Sequence, residues 1–137
     1  MSDVVIKGHV GIGKTVRGKA LVANDDFSAR YDLDRIKGVF SRPAHKLVGE
    51  NYVDTILVLN TAKGGVATSW MLHEMNSRGM APQALLLNTS NPIMAQGAAF
   101  GDVVLMDRFE KDITEAIQTG DDVTVDPQAG TVTIHKS

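Results

Sequence analysis

Apolar positions along the chain follow two different rhythms. In Asp122 to Asp126 and again in Thr131 to Ile134, Val123, Val125, Val132 and Ile134 alternate with polar residues, the pattern of strands with one wet face. Pro127-Gln128-Ala129-Gly130 lies between them and supplies turn residues, so the pair predicts a β-hairpin. Three other stretches are apolar without interruption: Ile56 to Leu59 led in by Val53, Ala84 to Leu87, and Val103 to Met106. Runs of that length predict strands buried on both faces. Between the first two, Val66, Met71, Leu72 and Met75 recur at helical spacing with His73 and Glu74 on other faces, and Ser77-Arg78-Gly79 ends the segment with a basic residue and a glycine. A helix between two buried strands predicts a βαβ crossover, and with it parallel pairing.

Weaker patterns fill in the rest. Val4 to Ile6, Ala20 to Ala23 and Val39-Phe40 predict short strands, and Val16-Arg17-Gly18 before the second of them reads as a turn. Asn88-Thr89-Ser90-Asn91-Pro92 reads as a polar turn that caps a helix running through Ile93, Met94 and Ala95 to a glycine near Gly97. Phe109 to Ile117 predicts a modest helix with Ile113, Ala116 and Ile117 on one side, ended by Thr119-Gly120. The sum is one α/β domain over residues 1–137, a mixed sheet with a βαβ unit and a C-terminal β-hairpin. A chain of 137 residues buries roughly two thirds of its unfolded surface in one core.

Candidate chemistry gathers after the first buried run. Thr61-Ala62-Lys63-Gly64-Gly65 joins strand to helix, and Thr68 and Ser69 fall in the helix's first turn. Paired glycines let backbone approach another molecule closely, and a helix start offers free N–H groups and the positive end of its dipole to a phosphate or carboxylate. Lys63 adds charge. The same glycines also serve as a plain βα linker, with Ser69 only a helix-stabilising hydroxyl. Asn24-Asp25-Asp26-Phe27-Ser28 is a polar turn whose side chains either cap the local backbone or face a site. Gly8 to Thr15 fits the phosphate-loop pattern GxxxxGK[ST], which works only when a helix follows at once. Here Val16 and Gly18 follow, favouring a glycine-bent hairpin or crossover over nucleotide binding.

Composition narrows the classes. A net charge of −2 with no basic run argues against a nucleic-acid surface. With no cysteine, the chain supplies no thiolate to zinc or to an iron–sulfur cluster, so any such centre comes from a partner. No apolar run approaches the roughly 18 residues of a membrane span, and MSDVVIKG lacks a signal-peptide pattern. The expectation is a cytoplasmic protein.

The order of strand, Gly-Gly turn, helix, strand and terminal hairpin resembles the swivelling β/β/α domain. The phosphohistidine domains of phosphoenolpyruvate-using enzymes share Gly64-Gly65, the Thr68-Ser69 pair and the Gly120 to Ile134 ending, but their histidine falls at Trp70, which cannot carry phosphate. The small subunit, or swivel domain, of the aconitase X hydro-lyases is the closer resemblance and spans nearly the whole chain. It rests on Gly18-Lys19-Ala20-Leu21-Val22, Asp26-Phe27-Ser28, Pro43, Ile56 to Leu59 leading into Ala62-Lys63-Gly64-Gly65, Ser69 and Glu74, and Gly79-Met80-Ala81-Pro82-Gln83-Ala84.

That resemblance implies a subunit that closes over a larger, cysteine-containing aconitase-like partner carrying an iron–sulfur cluster or other metal. Family members dehydrate small anionic hydroxy substrates such as a phosphorylated mevalonate or a hydroxyproline. It implies substrate binding by Lys63, Gly64, Gly65 and Ser28 and catalysis by Ser69 and Thr68. The chain departs from the family at one telling position: the serine thought to act as base directly follows Lys-Gly, and here Gly65 stands there. Thr68, Ser69 or Thr61 then takes the proton, or the partner does, or the chain is a non-catalytic regulatory or interaction domain of the same fold.

Overall fold

The computed structural model describes residues 3–9, 11–25, 33–34, 38–41, 46–61, 74–75, 77, 79, 81–89, 99 and 103–135. Seven strands form one mixed sheet: β1 (Val4–Lys7), β2 (Val16–Val22), β5 (Ile56–Thr61), β6 (Ala84–Thr89), β7 (Val104–Asp107), β8 (Asp122–Asp126) and β9 (Thr131–His135). Their order is β1-β9-β8-β2-β5-β6-β7. A two-residue pair, β3 (Leu33–Asp34) with β4 (Val39–Phe40), stands apart from it.

The two rhythms in the sequence correspond to two halves of this sheet. The continuous runs make β5, β6 and β7, parallel to one another with Leu57 opposite Leu85 and Leu85 opposite Leu105. Ile56 to Leu59 and Ala84 to Leu87 are fully buried, as strands covered on both faces must be. The alternating runs make the β8–β9 hairpin, with Val125 opposite Val132 and the polar positions between them only half buried. β2 joins the halves by changing partners along its length. Val16 to Lys19 pair antiparallel with β8, and Ala20 to Val22 pair parallel with β5. The expected strand Ala20–Ala23 therefore begins earlier, at Val16. The presumed turn at Gly18 is strand, and a Cβ there would meet Gln83 Nε2 at 3.2 Å.

Every one of the seven strands contributes to one interior cluster, including Ile6, Ala20, Val58, Leu86, Met106, Val123 and Ile134. A second layer covers the outer face of the parallel half, where Leu57, Leu59, Leu85 and Leu87 pack with Phe40, Leu47, Tyr52 and Met75. Phe40 and Tyr52 meet edge to face, ring centroids 6.0 Å apart at 84°, a favoured aromatic arrangement. Met75 lies in helical backbone with Glu74 and Ser77, and Gly79 follows at φ 69°, the left-handed glycine that commonly ends a helix.

The glycine-rich stretch after β1 closes the sheet on itself. Gly8 N–H donates to Gly130 O (2.9 Å) and Gly11 N–H to Pro127 O (2.9 Å), while His9 N–H donates to Asp107 O (3.2 Å). Ile12 and Leu105 exchange both backbone bonds, at 2.9 and 3.0 Å. The segment thus lies between the hairpin turn on one side and β7 on the other. Glycine is required because the backbones are so close: a Cβ on Gly11 would sit 2.1 Å from Leu105 O, and one on Gly8 2.7 Å from the Phe109 ring. Lys14 and Thr15 then lead directly into β2 rather than into a helix. The phosphate-loop reading fails on both counts, since the Gly8 and Gly11 amides are spent on carbonyls and no helix follows.

The helix expected over Phe109 to Ile117 is confined to Ile113–Ala116, which we label α1. Phe109 to Lys111 remain outside it because Glu110 N–H donates to Lys7 O (2.8 Å) and its Oε2 accepts from Lys7 N–H (2.7 Å), tying that stretch to β1. Asp112 caps α1, and Ile113 and Ile117 enter the interior cluster.

Candidate functional site

In sheets with parallel strands, ligands bind beyond the carboxyl ends of those strands. Here that edge is made by β2, β5, β6 and β7. Chain continuing past β2 stays beside β5: Ala23 N–H donates to Val58 O (3.1 Å) and Asn60 N–H to Asp25 O (2.8 Å). Asp25 and Asn60, just before residues 26–30 and 62–70, are therefore neighbours. Asp25 Oδ2 also accepts from Lys46 N–H (3.1 Å), fixing the loop that precedes β5 to the same corner.

The sequence-derived site residues Ser28, Lys63, Gly64, Gly65, Thr68 and Ser69, together with Trp70, lie outside the described residues. What the structure brings together is the two points from which their segments depart, Asp25 and Thr61. The third candidate hydroxyl, Thr61, is the last residue of β5, half buried, and pairs with Thr89, the last residue of β6.

A chain of side-chain bonds stiffens this edge, and its members were not singled out by sequence reasoning. Asn88 donates through Nδ2 to Asn60 Oδ1 (3.1 Å) and to Asp112 Oδ1 (2.8 Å), and its Oδ1 accepts from Ile113 N–H (2.8 Å). Asn88 O also accepts from Arg108 N–H (3.1 Å). Asn88 is thus a strand residue that joins β5, β6 and α1, not the start of a turn. The sequence signal was there: a polar residue directly abutting a four-residue buried run has to find partners. Asp112 also accepts from Thr114 N–H (3.0 Å) and Thr114 Oγ1 (2.7 Å). The Thr114 hydroxyl first, then the Asn88 amide, favour the charged carboxylate and hold it below its ordinary pKa of 3.8.

Beyond β7 come Asp107 and Arg108. Arg108 has left-handed backbone, φ 55°, and a side chain 61% exposed, with Nε 3.8 Å from Asp107 Oδ2. The strand ends therefore carry hydroxyls at Thr61 and Thr89 and, beside Asn88, an exposed cation at Arg108. On the antiparallel half the polar groups pair with one another. Arg17 makes a two-pronged ion pair with Asp122 (3.0 and 2.6 Å), which holds the Asp122 carboxyl below its usual range, and His135 bridges Thr124 and Asp3.

The chain has no cysteine, and among the described residues no three of His, Asp and Glu cluster to hold a metal ion. Also among the described residues, no helix is long and apolar enough to cross a membrane.

Comparison with known proteins places this edge in context. The family model described as the aconitase X swivel domain matches residues 5–134. The phosphomevalonate dehydratase small subunit of Methanocella arvoryzae is 35% identical over 127 residues, covering 93% of this chain and 96% of that protein. Its counterpart in Methanopyrus kandleri is 33% identical, covering 93% and 94%. Among solved structures, Thermococcus kodakaraensis aconitase X in its holo form superposes with a TM-score of 0.90 over 97% of this chain and 99% of that chain. At 24% identity, it is a likeness of fold. The solution NMR structure of a UPF0107 protein superposes with a TM-score of 0.87 at 27% identity, over 97% and 100%.

Proposed function

The chain belongs to the aconitase X swivel-domain family, and from that membership we propose that it is the small subunit of a hydro-lyase that dehydrates a small anionic hydroxy substrate, phosphomevalonate being the first candidate. The carrying observation is coverage. Identity of 35% extends over 93% of this chain and 96% of a phosphomevalonate dehydratase small subunit, so the match is end to end rather than a shared fragment.

In this reading the edge of β2, β5 and β6 faces the catalytic cleft of a larger, cysteine-containing, aconitase-like partner. Lys63 and the amides at Gly64 and Gly65 bind an anionic group of the substrate, with Ser28 on the neighbouring segment. The Ser69 or Thr68 side chain, as the alkoxide favoured by Lys63 and the helix dipole, takes the proton from carbon; the C–H electron pair becomes the new double bond, the C–O bond breaks and the substrate's hydroxyl departs as hydroxide. The iron–sulfur cluster or other metal of the partner supplies a Lewis acid for the departing hydroxide. In this reading the metal belongs to the partner, and this chain's part is binding, positioning and proton transfer.

The test is co-expression with the large subunit and assay of phosphomevalonate dehydration by phosphorus NMR. Activity is expected only when both chains are present, with Lys63→Ala raising KM about tenfold or more, as for a lost charge-assisted hydrogen bond, and Ser69→Ala lowering kcat. A complex unaffected by both substitutions would overturn the site. One observation favours a second reading, a non-catalytic docking domain: Gly65 stands where the family places its serine. That reading predicts association with the large subunit and a dehydration rate indifferent to Ser69, Thr68 and Thr61 alike.

A further inference from the structure

Among the described residues eight have left-handed backbone, and six of them are glycine. The exceptions are Asp54 (φ 60°) and Arg108 (φ 55°). Asp54 belongs to a residue type that tolerates this region, and it sits in a turn fixed by its N–H to Ala81 O (3.0 Å) and its carbonyl to Gln83 Nε2 (3.0 Å). Arg108 is different. A long side chain is kept where glycine would relieve the backbone, and strain of this kind collects at functional sites.

Its position gives the strain a use. Arg108 directly follows β7, and its N–H is bonded to Asn88 O on β6 (3.1 Å), in the network that stiffens the carboxyl edge. Thr89 ends β6 and pairs with Thr61, which ends β5. In the β6–β7 register Asp107 stands opposite Leu87, so Arg108 lies beside Asn88 at the end of the parallel strands, where ligands bind in such sheets. Among the described residues its ion pair is with Asp107, long at 3.8 Å, and the side chain is 61% exposed, conditions under which such a pair holds little. A guanidinium fork matches the paired oxygens of a carboxylate or phosphate.

We propose that Arg108 binds an anionic group of the substrate. The identity of the substrate rests on the hydro-lyase reading above; the anion site itself does not.

The test titrates the isotope-labelled full chain with inorganic phosphate and, separately, with acetate, following arginine Nε–Hε signals by NMR. A saturable shift at Arg108, lost in Arg108→Gly, is expected. The stronger of the two responses identifies the group as phosphate or carboxylate. Arg108→Gly should melt no lower than the parent, because glycine relieves the backbone, so loss of the response would not reflect unfolding. Equal, unsaturable shifts of all arginines with both anions would overturn the proposal. In the assembled complex Arg108→Gly should raise the KM for phosphomevalonate about tenfold or more, with Arg108→Lys partly restoring it; an unchanged KM in an active complex would also overturn it. A wild-type complex that turns over no phosphomevalonate would count against the hydro-lyase reading alone, with Arg108 still decided by the titration.

Discussion

Replacing Gly11 with alanine tests whether the segment after β1 closes the sheet. The added Cβ would lie 2.1 Å from Leu105 O and 2.8 Å from Met106 Cγ. The first of these is backbone of a buried strand and cannot swing aside. The segment must therefore retreat, breaking the paired Ile12–Leu105 bonds (2.9 and 3.0 Å) and the Gly11–Pro127 bond (2.9 Å). At about 1 kcal/mol for each bond, less about 0.5 kcal/mol for the stiffer unfolded chain of an alanine variant, the net loss is about 2.5 kcal/mol. Unfolding entropy of about 2.1 cal/mol/K per residue, taken over 137 residues, converts this to a fall in Tm of roughly 9 °C. Urea denaturation and thermal melts of the full chain measure it. Gly18→Ala is the control, since its nearest obstacle is a side-chain end, Gln83 Nε2 at 3.2 Å, rather than backbone, and it should cost at most the one Gln83–Asp54 bond, about 1 kcal/mol. If Gly11→Ala proves as stable as Gly18→Ala, closure through this segment is wrong. Lys14→Ala, which touches none of these bonds, should leave the midpoint unchanged.

Asn88→Ala removes the amide that joins Asn60, Asp112 and the Ile113 N–H; with three bonds lost and partners left unpaired, a loss of about 2 to 3 kcal/mol is expected by urea denaturation, and a loss under about 0.5 kcal/mol would show the network to be incidental. Asp112 sets an acid dependence. Its folded pKa lies below the ordinary 3.8, so its contribution is fully present above pH 3.8 and is lost as pH falls through the folded value. Asp112→Asn should therefore flatten the acid side of the stability profile without changing its shape near neutrality, and parallel profiles for the two proteins would refute the assignment.

The strands were legible wherever burial left a pattern. Ile56–Leu59 and Ala84–Leu87 announced strands covered on both faces, and Val123, Val125, Val132 and Ile134 announced a hairpin with one wet side. β2 was legible only in its second half, because Val16 to Lys19 pair at a half-exposed position where Gly18 mimics a turn. The closing segment was illegible for a deeper reason. Its bonds are made by backbone amides, and the glycines that permit them coincide with a phosphate-loop spacing. The helix before β8 was overestimated because Phe109 to Lys111 have apolar content but are held to β1 by backbone bonds that no periodicity reports. At the site, the ends of β5 and β6 could be inferred from their buried runs, but that the Ser28 and Lys63 segments depart from one edge could not, because the Asn60–Asp25 bond that joins them (2.8 Å) is made by backbone atoms. Arg108 gave no warning: the position itself carries neither glycine nor one of the short polar residues that ordinarily mark left-handed backbone.

The pairing of β1 with β9 places Val4 opposite Ile134, with His135 Nδ1 3.1 Å from Asp3 Oδ2. Opposed residues in such a ladder are about 5 Å apart, a gap that a linker of only a few residues spans. The molecule can thus be spliced head to tail and reopened at an exposed bend such as Gly49, where nothing lies within 4 Å of an added Cβ. Chain entering β1 and chain leaving β9 thus meet at one strand pair, so fluorophores placed at Asp3 and His135 would report one location.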